Sequence, residues 1–120
     1  MAASPHELVD ALYAGLQAAN VEVLRPLFLP TATLVRAVDP ITVHTVDSWL
    51  AGLHDAFAEI EELEDQRYLI ERNGSLALAM SQFSVRHRVT RAMHRSGTNA
   101  FSMVRDGLQW RIASVTWALD

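Results

Sequence analysis

The chain has 120 residues, no cysteine and a net charge of −4, and its basic residues are all arginine. Such a length predicts one domain over residues 1–120 that buries about two-thirds of its unfolded surface without a metal or a disulfide. The missing cysteines exclude thiol nucleophiles and thiolate-bound zinc, and the acidic balance argues against a nucleic-acid partner.

Ser4-Pro5-His6-Glu7 opens the first helix, with a cap, a proline at the first helical position and a glutamate where a capping box wants it. Leu8, Val9, Leu12, Leu16 and Ala19 follow on one face, and Tyr13 at its edge predicts a buried ring with its hydroxyl near a cavity. Asn20 caps a second helix, expected from Val21 to Leu29, although Pro26 within it is a helix breaker. Ala32 to Val38 reads as a strand carrying Leu34 and Arg36, Asp39-Pro40 as a turn, and Ile41 to His44 as a short strand. Thr45 or Asp47 caps a third helix reaching Ala58, whose apolar arc holds Val46, Trp49, Leu50, Leu53, Ala56 and Phe57. His54 and His44 are expected at the surface.

From Glu59 the period changes to that of strands. Leu63 to Arg72 and Ser75 to Thr90 form two strands around an Asn73-Gly74 turn. Thr98 to Arg105 and Gln109 to Trp117 form two more around Asp106-Gly107, a dipeptide that signals a tight hairpin. Helices lead and strands follow, which predicts an α+β fold with three N-terminal helices on one face of a mainly antiparallel sheet. Charge is segregated along this half. Glu59, Glu61, Glu62, Glu64 and Asp65 form an acidic run, and Arg86, Arg88, Arg91 and Arg95 a basic one. Solvated faces pairing across the sheet, or a basic rim drawing in an anion, would each account for it.

Three segments resemble the nuclear transport factor 2-like superfamily, which includes ketosteroid isomerases and SnoaL-like polyketide cyclases. They are NVEVLRPLFLPTAT from Asn20 to Thr33, the helix around Asp47-Ser48-Trp49-Leu50, and VRDGLQWRIASVTW with Gly107, Trp110 and Ile112. The resemblance spans nearly the whole chain and implies a strongly curved sheet forming a cone with a pocket. It also implies a homodimer. The isomerases' acid on the first strand falls at Arg36 here, their acid on the penultimate strand near Ala100, and their first-helix tyrosine is one place off at Tyr13. Arg36 with Asp39 keeps the Asp-Arg-Asp pattern of limonene epoxide hydrolases open.

Strand alternation then assigns faces. With Arg86 and Arg88 outward, Ala77, Ala79, Ser81, Phe83, Val85 and His87 face inward. Thr98, Ala100, Ser102 and Val104 are expected beside them. If Trp110 and Ile112 point inward, Ser114 and Thr116 do too unless a bulge switches parity, and the side taken by Trp117 depends on that bulge. Leu78, Met80, Phe101, Met103 and Val115 would then form an outer apolar face, large enough to predict a homodimer through it.

His87 is the expected acid–base residue, with Tyr13 and Arg36 polarising or anchoring an oxygen, and Trp49, Phe57, Phe83, Ser102 and Trp117 as substrate contacts. Each has a plainer alternative: a rim histidine bonded to a neighbour, an arginine paired with Asp39 or the acidic run, aromatics that simply fill the core. No histidine pair has metal-ligand spacing, so neither a metal nor a cofactor is expected. The function that follows is a pocket for a small hydrophobic molecule, with cyclase, isomerase or dehydratase chemistry on an apolar carbonyl compound. The alternative is a non-catalytic ligand-binding or dimeric assembly module. The N-terminus MAASPHELVD lacks the basic start and apolar core of a signal peptide, and no apolar run nears the ~18 residues that span a bilayer. A cytoplasmic location without a membrane partner is therefore expected.

Overall fold

The computed structural model describes residues 2–57, 60–87 and 90–120, and within them the side chains of 54–57, 60–69, 87, 93 and 94 lie outside the described set. Helix α1 spans Pro5–Gln17. Its cap forms as the sequence predicts: the Ser4 hydroxyl accepts from the Glu7 amide at 3.2 Å, and the Glu7 carboxylate accepts from the Ala3 amide at 2.8 Å. The helix ends in a Schellman turn, with the Asn20 amide donating to the Gly15 carbonyl and the Ala19 amide to that of Leu16. Ala19 takes the left-handed conformation there, at φ 51°.

Asn20 caps α2 through its side-chain oxygen, which accepts from the Val23 amide, but α2 covers only Val21–Leu24. Pro26 has no amide hydrogen to continue the ladder, and the chain tightens into a 3-10 turn over Arg25–Leu27. Strand β1, Phe28–Arg36, therefore starts four residues earlier than the sequence reading has it. Strand β2, Thr42–Thr45, follows the Asp39-Pro40 turn, and α3, Val46–Phe57, is capped by Thr45, whose hydroxyl accepts from the Ser48 amide at 3.1 Å.

Four long strands complete the sheet: β3 Ile60–Asn73, β4 Leu76–His87, β5 Met93–Asp106 and β6 Gln109–Leu119. Each of the two tight hairpins turns one residue later than expected. Asn73 pairs with Leu76 and Asp106 with Gln109, so the central residues are Gly74-Ser75 and Gly107-Leu108. Gly74 at φ 61° and Gly107 at φ 66° occupy the first central position, where the hairpin needs a left-handed residue. The strand order is β2-β1-β6-β5-β4-β3, antiparallel throughout except for the parallel pair β1 and β6. The result is an α+β fold with a mixed six-stranded sheet. Helix α1 lies over β3 and β6, α3 lies over β1, β2 and β3, and the buried core between sheet and helices includes Leu8, Leu12, Leu34, Leu50, Met103 and Ile112.

The registers correct the assignment of faces. On β4 the expected parity holds, with Ala77, Ala79, Ser81 and Val85 buried and Leu78 and Met80 exposed. Residues directly opposite on neighbouring strands share a face, and Ala79 pairs with Phe101 and Ala77 with Met103. Phe101 and Met103 are therefore core residues, buried at 2 % and 0 % exposure, and Thr98, Ala100, Ser102 and Val104 belong to the opposite face. On β6 the anticipated bulge is present. Met103 pairs with Ile112 and Ser102 with Ser114, which leaves Ala113 as the extra residue. Val115, expected outside, is consequently buried, while Ser114 and Thr116 lie on the outer side.

Ala19 and Gly97 give direct tests. An alanine in left-handed geometry costs about 1–2 kcal/mol, partly offset by glycine's greater freedom in the unfolded chain. Ala19→Gly should therefore raise the melting temperature by about 3 °C, and a lower value in thermal denaturation would contradict the turn. Gly97 lies between β4 and β6, and a Cβ there would run into the Ala118 carbonyl and come within 3.0 Å of the Phe83 ring. Gly97→Ala should destabilise the fold by about 1–3 kcal/mol in urea titration, the usual cost of overpacking a filled site.

Candidate functional site

Beneath α1 and α3 the inner sheet face opens into a cavity of about 300 Å3, at the small end for ligand pockets. Helix α1 contributes Leu12, Tyr13 and Leu16, and α3 contributes Ser48, Trp49, Gly52 and Leu53. The strands add Phe28, Leu34, Phe83, Val85, Val115 and Leu119 as apolar wall. The Phe28 and Trp49 rings meet edge to face at 5.6 Å, fixing the corner where β1 meets α3.

The polar lining follows from one row across the sheet. Thr42 pairs with Arg36, Arg36 with Trp117, Trp117 with Asn99 and Asn99 with Ser81, from β2 through β1, β6 and β5 to β4. Cross-strand partners point the same way, so this row presents a guanidinium, an indole, an amide and a hydroxyl on one face. The row beside it, Leu34, Val115, Phe101 and Ala79, is apolar and buried. Tyr13 reaches down from α1 into the polar row. Its hydroxyl lies 2.8 Å from the Ser81 hydroxyl and accepts from the Asn99 amide nitrogen at 2.9 Å. Ser81 is wholly buried, so a hydrogen-bonding partner is required there, and Tyr13 provides one.

At the other pole Arg36 and Arg95 both line the cavity. Burial, and then the neighbouring Arg36 cation, hold the Arg95 guanidinium below its ordinary pKa. Arg95 arrives there because it pairs with Val85 on the inner face, whereas the sequence places it with the basic run. His44 also lines the cavity, against the expectation of a surface position. It stacks on Trp117 at 6.4 Å and lies 3.1 Å from the Thr42 hydroxyl.

Among the residues expected in a site, Tyr13, Arg36, Trp49, Phe83 and Trp117 line the cavity together. Trp117 reaches the pocket because the bulge at Ala113 reverses its parity. Ser102 does not line it: paired with exposed Leu78, it lies on the opposite face of the sheet. The side chains of His87, Phe57 and His54 lie outside the described residues. The sequence reading missed Asn99, Arg95 and His44. The resemblance puts the isomerases' acid of the penultimate strand near Ala100, and here the residue before it, Asn99, is the one that meets Tyr13. Among the described residues no group of three His, Asp or Glu is arranged to hold a metal ion, and no helix is long and apolar enough to cross a membrane.

No family model matches the sequence, and none of the curated proteins compared with it matches. Solved structures do. A Thiobacillus denitrificans protein, provisionally assigned as a calcium/calmodulin-dependent protein kinase type II association domain, superposes with a TM-score of 0.84 at 12% identity, covering 100% of this chain and 98% of its own. A nuclear transport factor 2-like protein of unknown function from Shewanella baltica gives 0.78 at 16% identity, covering 96% of this chain and 90% of its own. A ketosteroid isomerase-like protein from Erwinia carotovora atroseptica gives 0.74 at 11% identity, over 95% of this chain and 92% of its own. At such identities the likeness speaks for the backbone, and similar folds host unrelated functions. The chain has the nuclear transport factor 2-like fold, the α+β cone that its sequence resembles.

Proposed function

We propose that the cavity binds a small, largely apolar carbonyl compound and promotes proton transfer next to its carbonyl group. Isomerase, cyclase and dehydratase reactions all contain that step. One observation carries the reading: the Tyr13 hydroxyl, held by Asn99 and Ser81, stands in the wall of a pocket whose lining is mostly apolar. Asn99 donates to the phenol oxygen, so the phenol's own proton can point to an acceptor such as the Ser81 hydroxyl or, with a ligand bound, a ligand oxygen. A carbonyl at that point would receive the proton's hydrogen bond in a low-dielectric setting, where it stabilises developing negative charge far better than water does. Asn99 strengthens the donor by bonding to the same oxygen.

The ketosteroid isomerase-like neighbour lends the reading support by analogy of fold only. In this proposal Tyr13 polarises the carbonyl, His87 moves the proton, and Arg36 anchors an oxygen. Trp49, Phe57, Phe83 and Trp117 pack against the apolar body. Ser102 has no part in it.

Exchange of the α-protons of 4-phenyl-2-butanone in deuterium oxide, followed by nuclear magnetic resonance, tests the chemistry. The protein should accelerate exchange over buffer, and Tyr13→Phe should reduce the acceleration about 100-fold, the cost of losing one oxyanion donor. His87→Ala should reduce it by a similar factor of about 100 if the histidine is the acid–base group. A ketone that binds with no accelerated exchange would leave the cavity a binding site and exclude the catalytic step.

The outer sheet face supports the further proposal of a homodimer. Leu76, Leu78 and Met80 on β4 are 45 %, 50 % and 37 % exposed, and Val43 on β2 is exposed on the same face. Ser102, Ser114 and Thr116 run between them across β5 and β6, small enough for a second sheet to approach closely. Sedimentation should give a dimer at micromolar concentration and a folded monomer for Leu78→Glu. A wild-type monomer at that concentration would refute the interface.

A further inference from the structure

Gly15 and Gly52 both lie inside helices, where glycine is the least favourable residue but proline because it gives up the most backbone freedom on folding. Packing explains the first. A Cβ at Gly15 would come within 2.6 Å of the Leu24 side chain, so its absence lets α1 and α2 meet. Nothing comparable surrounds Gly52, in the middle of α3. No described atom beyond its own turn of helix lies within 4 Å of the place a Cβ would take. An alanine there would favour the helix and clash with nothing described.

What Gly52 does border is the cavity. Helix α3 lines it with Ser48, Trp49, Gly52 and Leu53, and Ser48 and Gly52, four residues apart, lie on one side of the helix. Among the described lining residues only these two are exposed, so the cavity meets solvent along them. The polar cluster is closed off by contrast: Tyr13 is 7 % exposed, and Ser81, which meets it, 0 %. The cavity therefore runs from a buried hydroxyl pair to a mouth bounded on α3 by the two smallest side chains of that face.

We propose that Gly52 is the specificity-determining residue of this mouth, and that the natural ligand is an elongated carbonyl compound whose tail leaves the protein beside it. The inference rests on the cavity being the carbonyl site proposed above and adds the ligand's length and orientation. A carbonyl taken out of water needs a hydrogen-bond donor, and Tyr13 supplies one at the buried end. The hydrocarbon part then points toward α3. A cavity of about 300 Å3 is small for a ligand pocket, so a longer chain has to pass the mouth. Trp49, half-buried and three residues before Gly52, offers that chain an apolar wall on the way out. A side chain at position 52 would narrow the passage, which gives the glycine a reason that folding does not.

The test compares 2-heptanone with 2-undecanone, ketones that share a head and differ only in tail length. Trp49 and Trp117 line the cavity, so intrinsic fluorescence reports occupancy, with calorimetry as a second readout. The unaltered protein should bind both. Gly52→Ala should raise the melting temperature by about 4 °C, the gain of alanine over glycine inside a helix. Gly52→Leu should lower the ratio of long-ketone to short-ketone affinity at least about tenfold, the penalty of forcing hydrocarbon into a filled space. Gly52→Met, with another good helix former, repeats the measurement if circular dichroism shows the leucine variant unfolded. A lower melting temperature for Gly52→Ala would show that the glycine serves the fold and overturn the proposal. An unchanged affinity ratio, or a protein that takes the short ketone and refuses the long one, would overturn it too and leave the ligand site standing. If neither ketone binds the unaltered protein, the carbonyl site and the tail's exit fall together.

Discussion

Ala113 is the residue on which the geometry of the pocket turns. As the extra residue of a bulge opposite the Ser102–Met103 step, it changes the parity of everything after it on β6. Regular alternation from buried Trp110 and Ile112 would have carried Ser114, Thr116 and Ala118 inward. The bulge instead turns in Val115, Trp117 and Leu119, three of the cavity's apolar walls. Its influence reaches the next strand as well, because β1 pairs with β6 beyond the bulge. Leu34 follows Val115 inward and Arg36 follows Trp117. One unpaired residue thus supplies the cavity with an indole, an aliphatic floor and a guanidinium.

The consequence is a surface of two textures set row by row. Leu34, Val115, Phe101 and Ala79 make a dry row under the helices, and Arg36, Trp117, Asn99 and Ser81 make a polar one beside it. The dry row and the polar row are therefore separated by the spacing of two residues along a strand. Helix α1 serves both: Leu8, Leu12 and Leu16 pack into the core, while Tyr13 turns its hydroxyl to the polar row. A buried phenol or amide is tolerable only when satisfied, and the Tyr13–Asn99 and Tyr13–Ser81 contacts satisfy each other.

What the sequence makes legible follows from local rules. Ser4, Asn20 and Thr45 cap helices because short polar side chains reach the first free amides, and that signal needs no tertiary knowledge. The alternation on β4 is equally local, and it puts Ser81 and Phe83 on the inner face. The apolar pattern after Asn20 predicts a longer α2 than forms, because Pro26 lacks the amide hydrogen that would continue it. The faces of β5 were inverted for a different reason. Its register against β4 depends on an irregularity at the Val85–Arg86 step, which no pattern within β5 announces. Simple alternation therefore assigns Phe101 and Met103 to the outer side and gives no sign that Asn99 and Arg95 line the cavity. His44 was missed because its strand is four residues long and too short to show alternation.

Strand β4 states most plainly how the two faces divide their work. Its inner positions are small, Ala77, Ala79 and Ser81, and its outer ones are large and apolar, Leu76, Leu78 and Met80. A sheet with one face in water would invert that choice, placing bulk toward the helices and polar groups outside. Small inner residues instead leave volume for helix side chains and, further along, for the cavity. Large outer ones stay half-exposed at an apparent cost in solvation that adds nothing to the chain alone. A ligand on the inner side and a second apolar surface on the outer, as proposed above, would account for the two departures. Since both sets of side chains hang from the same backbone, a register slip of one residue would exchange them and abolish both. The bulge at Ala113 and the close approach at Gly97, where no side chain fits between Phe83 and the Ala118 carbonyl, hold the sheet against that exchange.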